Sequence, residues 1–170
     1  MRLPETQTKS SRLRKEPGFT IIELLVVISI IAFIAAVIMV AVNTARQRAR
    51  DVKRLGDMSQ IVKGFELYFD NNKGYPGAIT FNGTNAPASM TPTYVSSLPF
   101  APTPADGSCG GTVAPSPATS ANTYYYEPTG TSYIYNGVTV YPNYNYYFCL
   151  GGQAGNIPAG LHTLTPGGIN

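Results

Sequence analysis

From Phe19 to Val42 every residue is apolar except Thr20, Glu23 and Ser29, and no charge falls between Glu23 and Arg46. As a helix, these 24 residues reach about 36 Å at about 1.5 Å each, enough to cross a hydrocarbon core of about 30 Å. The stretch therefore reads as a membrane span, and the rest of the chain must be arranged around a segment that water solvates poorly. Glu23 is its oddity. A carboxylate four residues inside an apolar boundary is costly there, and by default it marks a function.

Of 170 residues, those outside the span leave room for one modest domain. Only 12% of the chain is charged, against about a quarter in ordinary soluble domains. The C-terminal two-thirds is polar but nearly uncharged, rich in Thr, Ser, Asn, Gly and Tyr, a composition suited to a surface outside the cell. The formal net charge of +3 resides in residues 1–18, where Arg2, Lys9, Arg12, Arg14 and Lys15 face only Glu5 and Glu16. The remainder is neutral, so overall basicity does not point to nucleic acid as a partner.

Residues 1–18 read as a basic cytoplasmic lead-in. A secretory signal has an apolar core of about 7–15 residues, shorter than this one. Val42-Asn43-Thr44-Ala45 loosely imitates a signal peptidase site, which leaves cleavage there as an alternative. Arg46, Arg48, Arg50, Lys53 and Arg54 follow the span as closely as five basic residues precede it, so the positive-inside rule does not orient it.

The stretch Lys15-Glu16-Pro17-Gly18-Phe19-Thr20-Ile21-Ile22-Glu23-Leu24-Leu25-Val26-Val27 resembles the N-terminal signature of type IV pilins and of type II secretion pseudopilins. The resemblance implies a cytoplasmic leader cut between Gly18 and Phe19 by a prepilin peptidase, which also methylates the new N-terminus at Phe19. It further implies insertion in the inner membrane with the C-terminus outside, delivery to an inner-membrane assembly platform, and polymerisation with copies of itself into an extracellular or periplasmic filament. In that family the carboxylate corresponding to Glu23 pairs with the N-terminal amine of a neighbouring subunit, so that two poorly solvated charges neutralise each other. Ala32 and Val40 stand where the family often has helix-loosening Gly or Pro, so this helix is expected to be continuous. Ser29, Ala32 and Ala36 offer one face for close helix approach.

Beyond the span, Val52, Leu55, Val62, Phe65 and Phe69, joined by Ile61 and Tyr68, form an apolar stripe opposite Lys53, Asp57, Lys63 and Asp70. One helix from Phe19 to about Asp70 is expected. The basic cluster Arg46–Arg54 is expected to lie in solvent or against phosphate headgroups, with ion pairs between subunits through Asp51 or Asp57 as the alternative. Gly56 and Gly64 suggest close packing against the helix. Asp70-Asn71-Asn72-Lys73-Gly74-Tyr75-Pro76 ends it, and is similar to the segment closing the long helix of major pseudopilins.

Gly77 to Ala121, rich in Thr, Pro, Ser and Gly, reads as a surface loop. Tyr124–Tyr126, Tyr133–Tyr135, Val138–Tyr141 and Tyr144–Leu150 read as antiparallel strands, with Asn136-Gly137 as a two-residue hairpin turn. Nine of the twelve Tyr lie between Tyr124 and Tyr147; cross-strand packing is the ordinary reading, and a glycan- or DNA-stacking face the alternative. The tail 151–170 has no assignable pattern. Cys109 and Cys149, the only cysteines, are expected to form a disulfide outside the cell. With His162 they are too few for a tetrahedral zinc site, and Asp106 and Glu127 alone make a poor calcium site.

The expected fold class is α+β: a long N-terminal helix packed on a small antiparallel β-sheet head. The layout is leader 1–18, membrane-spanning half of the helix 19–42, amphipathic half 43–71, and extracytoplasmic loop and head 72–170. No nucleophile with its base and no carboxylate pair suggests an enzyme, and no cofactor or metal is implied. Two functions remain: a filament subunit, in contact with membrane lipid before assembly, or a membrane-tethered module whose head binds glycan, DNA or a secreted cargo.

Overall fold

A computed structural model of the chain describes residues 18–81, 83–110 and 122–170; residues 1–17 of the expected leader 1–18, and residues 82 and 111–121 of the loop expected from Gly77 to Ala121, lie outside these. The described residues form a 52-residue helix, α1 (Ile21–Asn72), followed by short antiparallel strands, the α+β layout expected. Two compact units part between Val40 and Ala41.

In the first unit the helix residues Ile21–Val40 are all exposed. The helix holds a window long and apolar enough to cross a membrane. The hydroxyl of Ser29 donates to the carbonyl of Val26 at 2.7 Å, so this polar group is satisfied within the helix.

In the second unit α1 buries Asp51, Arg54, Met58, Ile61, Gly64, Phe65 and Tyr68. Their spacing of three and four marks one helix face. This face differs from the expected stripe, for Val52 is 65% and Phe69 39% exposed. Two charged residues take inward positions that a count of apolar side chains assigns to solvent. Gly64 is pressed against the chain that follows: a Cβ there would stand 2.6 Å from Val95 Cγ1 and 2.9 Å from Met90 Cε. Gly56, by contrast, faces open space, which corrects the expectation of close packing there.

The helix stops because Lys73 turns left-handed (φ 54°), with its N–H on the carbonyl of Phe69 at 2.7 Å. Gly74 follows for a different reason: a side chain there would meet Cβ and Cγ2 of Val140 at 2.7 Å.

Strands β1 (Tyr75–Pro76), β6 (Val138–Tyr141) and β5 (Tyr133–Tyr135) form one sheet in that order. β5 and β6 are joined at Asn136 and Gly137, both at positive φ (47° and 79°), the turn that matches the twist of a hairpin. The larger sheet has the order β4 (Tyr125–Thr129), β7 (Asn143–Leu150), β8 (Gly160–Thr165) and β9 (Gly168–Ile169). The tail without a pattern therefore supplies two of its four strands, and β8 lies along β7 with Phe148 opposite His162 and Tyr146 opposite Leu164. The expected loop is also partly structured, since β2 (Ala78–Phe81) and β3 (Thr84–Pro87) pair as a hairpin.

Phe65 reaches from α1 into the tyrosines: its ring centroid is 4.4 Å from that of Tyr144 and 5.3 Å from that of Tyr126. Tyr124, Tyr125, Tyr126, Tyr144 and Tyr146 are all buried, and Tyr126 donates to the carbonyl of Pro76 at 2.6 Å. Burial pushes the phenols of Tyr124, Tyr126, Tyr144 and Tyr146 above their ordinary 10.0, for Tyr124 with help from the carboxylate of Asp57, which it contacts at 2.8 Å. The rings of Tyr124, Tyr126, Tyr144 and Tyr146 belong to the core between helix and sheet, so these four form no open stacking face. Cys109, in a 3-10 turn (Gly107–Gly110), is joined to Cys149 on β7 by a disulfide, and both residues are buried.

Candidate functional site

Gly18 and Phe19 lie ahead of α1, outside any helix or strand, and both are exposed; Phe19 is 78% so. Nothing stands within 4 Å of where a Cβ on Gly18 would be.

Helix α1 starts two residues later through a reciprocal cap. Glu23 N–H donates to Thr20 Oγ1 at 3.3 Å, and Glu23 Oε2 accepts from the N–H of Thr20 at 2.8 Å and from its hydroxyl at 2.7 Å. The amide of Leu24 donates to the Thr20 carbonyl at 3.3 Å. This is the capping box of a Thr followed three residues later by a Glu, which satisfies amides that the first helical turn otherwise leaves bare. The pattern Thr20-Ile21-Ile22-Glu23 could have been read from the sequence. The cap places the carboxylate at the positive end of the helix dipole, one turn from the Gly18–Phe19 bond.

A second polar cluster lies on α1 near the start of the head. Asp51 is 1% and Arg54 0% exposed, and Arg54 Nη1 meets Asp51 Oδ1 at 2.7 Å. Asp51 also accepts the N–H of Gly151 at 2.8 Å and of Gly152 at 2.9 Å. Arg54 Nη2 donates to Asn122 Oδ1 at 2.7 Å and to the carbonyl of Pro102 at 3.2 Å. Arg50 makes a two-pronged contact with Asp106, whose carboxylate is also 3.9 Å from Arg54. The paired guanidinium of Arg50 holds the Asp106 carboxyl below its ordinary 3.8. Arg50 and Arg54 therefore depart from the expectation of a solvated basic cluster, and the partner of Asp51 lies within the same chain. The reason is tertiary: Asp106 follows Arg50 by 56 residues and Gly151 follows Asp51 by 100, and only the fold brings each pair together.

Among the described residues no group of three or more His, Cys, Asp and Glu could hold a metal ion. Residues 13–39 match the family described as the prokaryotic N-terminal methylation motif. The chain is 36% identical over 105 residues to the Type IV wide pilus major component PilA4 of Thermus thermophilus, covering 59% of this chain and 80% of that protein. No solved structure matches.

Proposed function

The chain belongs to the type IV pilin family and is a structural, pilin-type subunit; on that premise we propose that it is cut between Gly18 and Phe19, methylated at Phe19, and polymerised into a type IV pilus. The observation that carries this reading is the juxtaposition at the helix start: an exposed Gly18–Phe19 bond, then a capped Glu23, then about twenty unburied apolar residues. Cutting after Gly18 creates an amine one turn from Glu23 and leaves the apolar helix as the leading end of the mature chain. In the membrane lipid covers that helix; out of it, helices of other copies must, since exposing so much apolar surface to water is strongly unfavourable. In this reading Glu23 exchanges its own Thr20 for the amine of a neighbouring copy as the subunit joins.

A surface pilus is preferred to a secretion pseudopilus because the similar protein is named as a major component of a wide pilus. The prepilin peptidase and an inner-membrane platform are the partners this assembly requires, and the head faces outward.

Mass spectrometry of the mature protein tests the processing: a chain beginning with methylated Phe19 is expected, and a start near Arg46 would overturn it. For assembly, Glu23→Ala is expected to abolish filaments recovered by shearing while the subunit accumulates in the membrane. Undiminished filaments from that variant would reject the role given to Glu23 and favour a tethered, non-polymerising module.

A further inference from the structure

The charged cluster on α1 and the disulfide share their supports. The helix contributes two cations, Arg50 and Arg54, and one anion, Asp51. The balance comes from Asp106, three residues before Cys109, whose backbone carbonyl accepts the N–H of Cys109 at 2.8 Å. The two amides that hold Asp51 belong to Gly151 and Gly152, immediately after Leu150 and so beside Cys149. The N–H of Ser108 closes the ring by donating to the carbonyl of Gly151 at 3.3 Å. The disulfide thus clamps together the two chain segments that neutralise the buried helix charges. Arg54 has no slack in this arrangement: its side chain is 0% exposed and its Nε has no partner among the described residues. A buried cation that loses counter-charge is strongly destabilised where it lies.

We propose that the Cys109–Cys149 disulfide acts as a redox latch on the Arg50–Arg54 turn of the helix, working through Asp106 and Gly151–Gly152. With the bond closed, the cluster is charge-balanced and its Asp51–Arg54 pair is sealed from water. When a dithiol opens the bond, the dithiol is oxidised to its own disulfide, Cys109 and Cys149 become thiols, Asp106 and the Gly151 amides move away, and the arginines are released to water. Since Cys109 and Cys149 are 1% and 3% exposed, the reductant must wait for the same opening, so latch and cluster protect each other. By linkage, whatever factor reduction contributes to opening the cluster, loss of the cluster contributes to reduction. This inference concerns the head alone and stands whether or not the subunit polymerises.

The test uses the full chain in detergent micelles, titrated with mixtures of reduced and oxidised dithiothreitol, with backbone-amide hydrogen exchange as the readout. Reduction is expected to speed exchange at Gly151 and Gly152 at least tenfold while Tyr146 and Phe148, within the sheet, stay protected. Asp106→Asn, with the disulfide intact, is expected to reproduce most of that rise and to make the bond reducible at an at least tenfold lower ratio of reduced to oxidised dithiothreitol. Unchanged exchange at Gly151 and Gly152 after reduction overturns the proposal. So does an Asp106→Asn protein reduced at the same ratio as the native chain, and that arm decides the matter alone if the reduced head loses its fold.

Discussion

Asp51 shows how much one buried carboxylate can carry. It accepts two backbone amides and one guanidinium, and its removal leaves Arg54 buried with reduced counter-charge and Gly151 and Gly152 without an acceptor. Asp51→Ala is therefore expected to cost about 3–5 kcal/mol in denaturant unfolding of the head. Replacing the pair together, as Asp51→Leu with Arg54→Met, should recover much of that loss, because well-packed apolar residues tolerate a site that an unpaired charge does not. Asp106 carries the pH dependence. Its folded-state carboxyl is held below 3.8 by Arg50, so its contribution is complete above that value and is lost as pH falls through the lower folded one. An acid titration followed by circular dichroism should show the native head losing stability below about pH 4, and Asp106→Asn should flatten that part of the curve. If the two curves coincide, the Arg50 contact contributes nothing to the fold.

Along helix α1, two glycines on different faces separate propensity from packing. Gly56 meets nothing, so Gly56→Ala should gain about 1 kcal/mol from helix propensity alone. Gly64 lies against Val95 and Met90, so Gly64→Ala should instead cost about 1–3 kcal/mol through overpacking, despite the same gain in propensity. Thermal melts of the two variants should move in opposite directions. Phe65, the residue through which the helix grips the sheet, belongs to the same face as Gly64. The cap at Thr20 and Glu23 works at the other end of the element, where a single carboxylate both closes the helix and stands next to the bond proposed for cleavage.

The head as a whole depends on its last strands. β8 covers one side of β7, placing Leu164 against Tyr146 in register, and Phe148 and Leu150 are 0% exposed. Deleting residues 160–170 should leave β7 paired with β4 alone, as the open edge of its sheet, and the head should fail to fold cooperatively. The check is loss of a sharp unfolding transition and of near-ultraviolet tyrosine dichroism. A truncated head that melts like the intact one would show that helix, β4 and disulfide suffice.

The local signals were legible without any structure: the apolar run, the Gly18–Phe19 junction with Glu23, the stop after Asp70, the Asn136-Gly137 turn and the two cysteines. Each is a matter of a few neighbouring residues, whose hydrophobicity, backbone freedom or chemistry acts over one turn of chain. On these alone rested the pilin-like α+β fold and the family resemblance. Three things needed the tertiary structure. The strands of 160–169 have too little alternation to stand out and exist because β7 offers them an edge. The hairpin of 78–87 is similarly made by its own pairing, in a composition that reads as loop. The charges of Arg50, Asp51 and Arg54 turned inward because partners remote in sequence were delivered to them, by a fold closed at Cys109 and Cys149. Periodicity assigns charge to solvent, and it takes hydrogen-bond partners and counter-charges delivered by the fold to reverse that assignment.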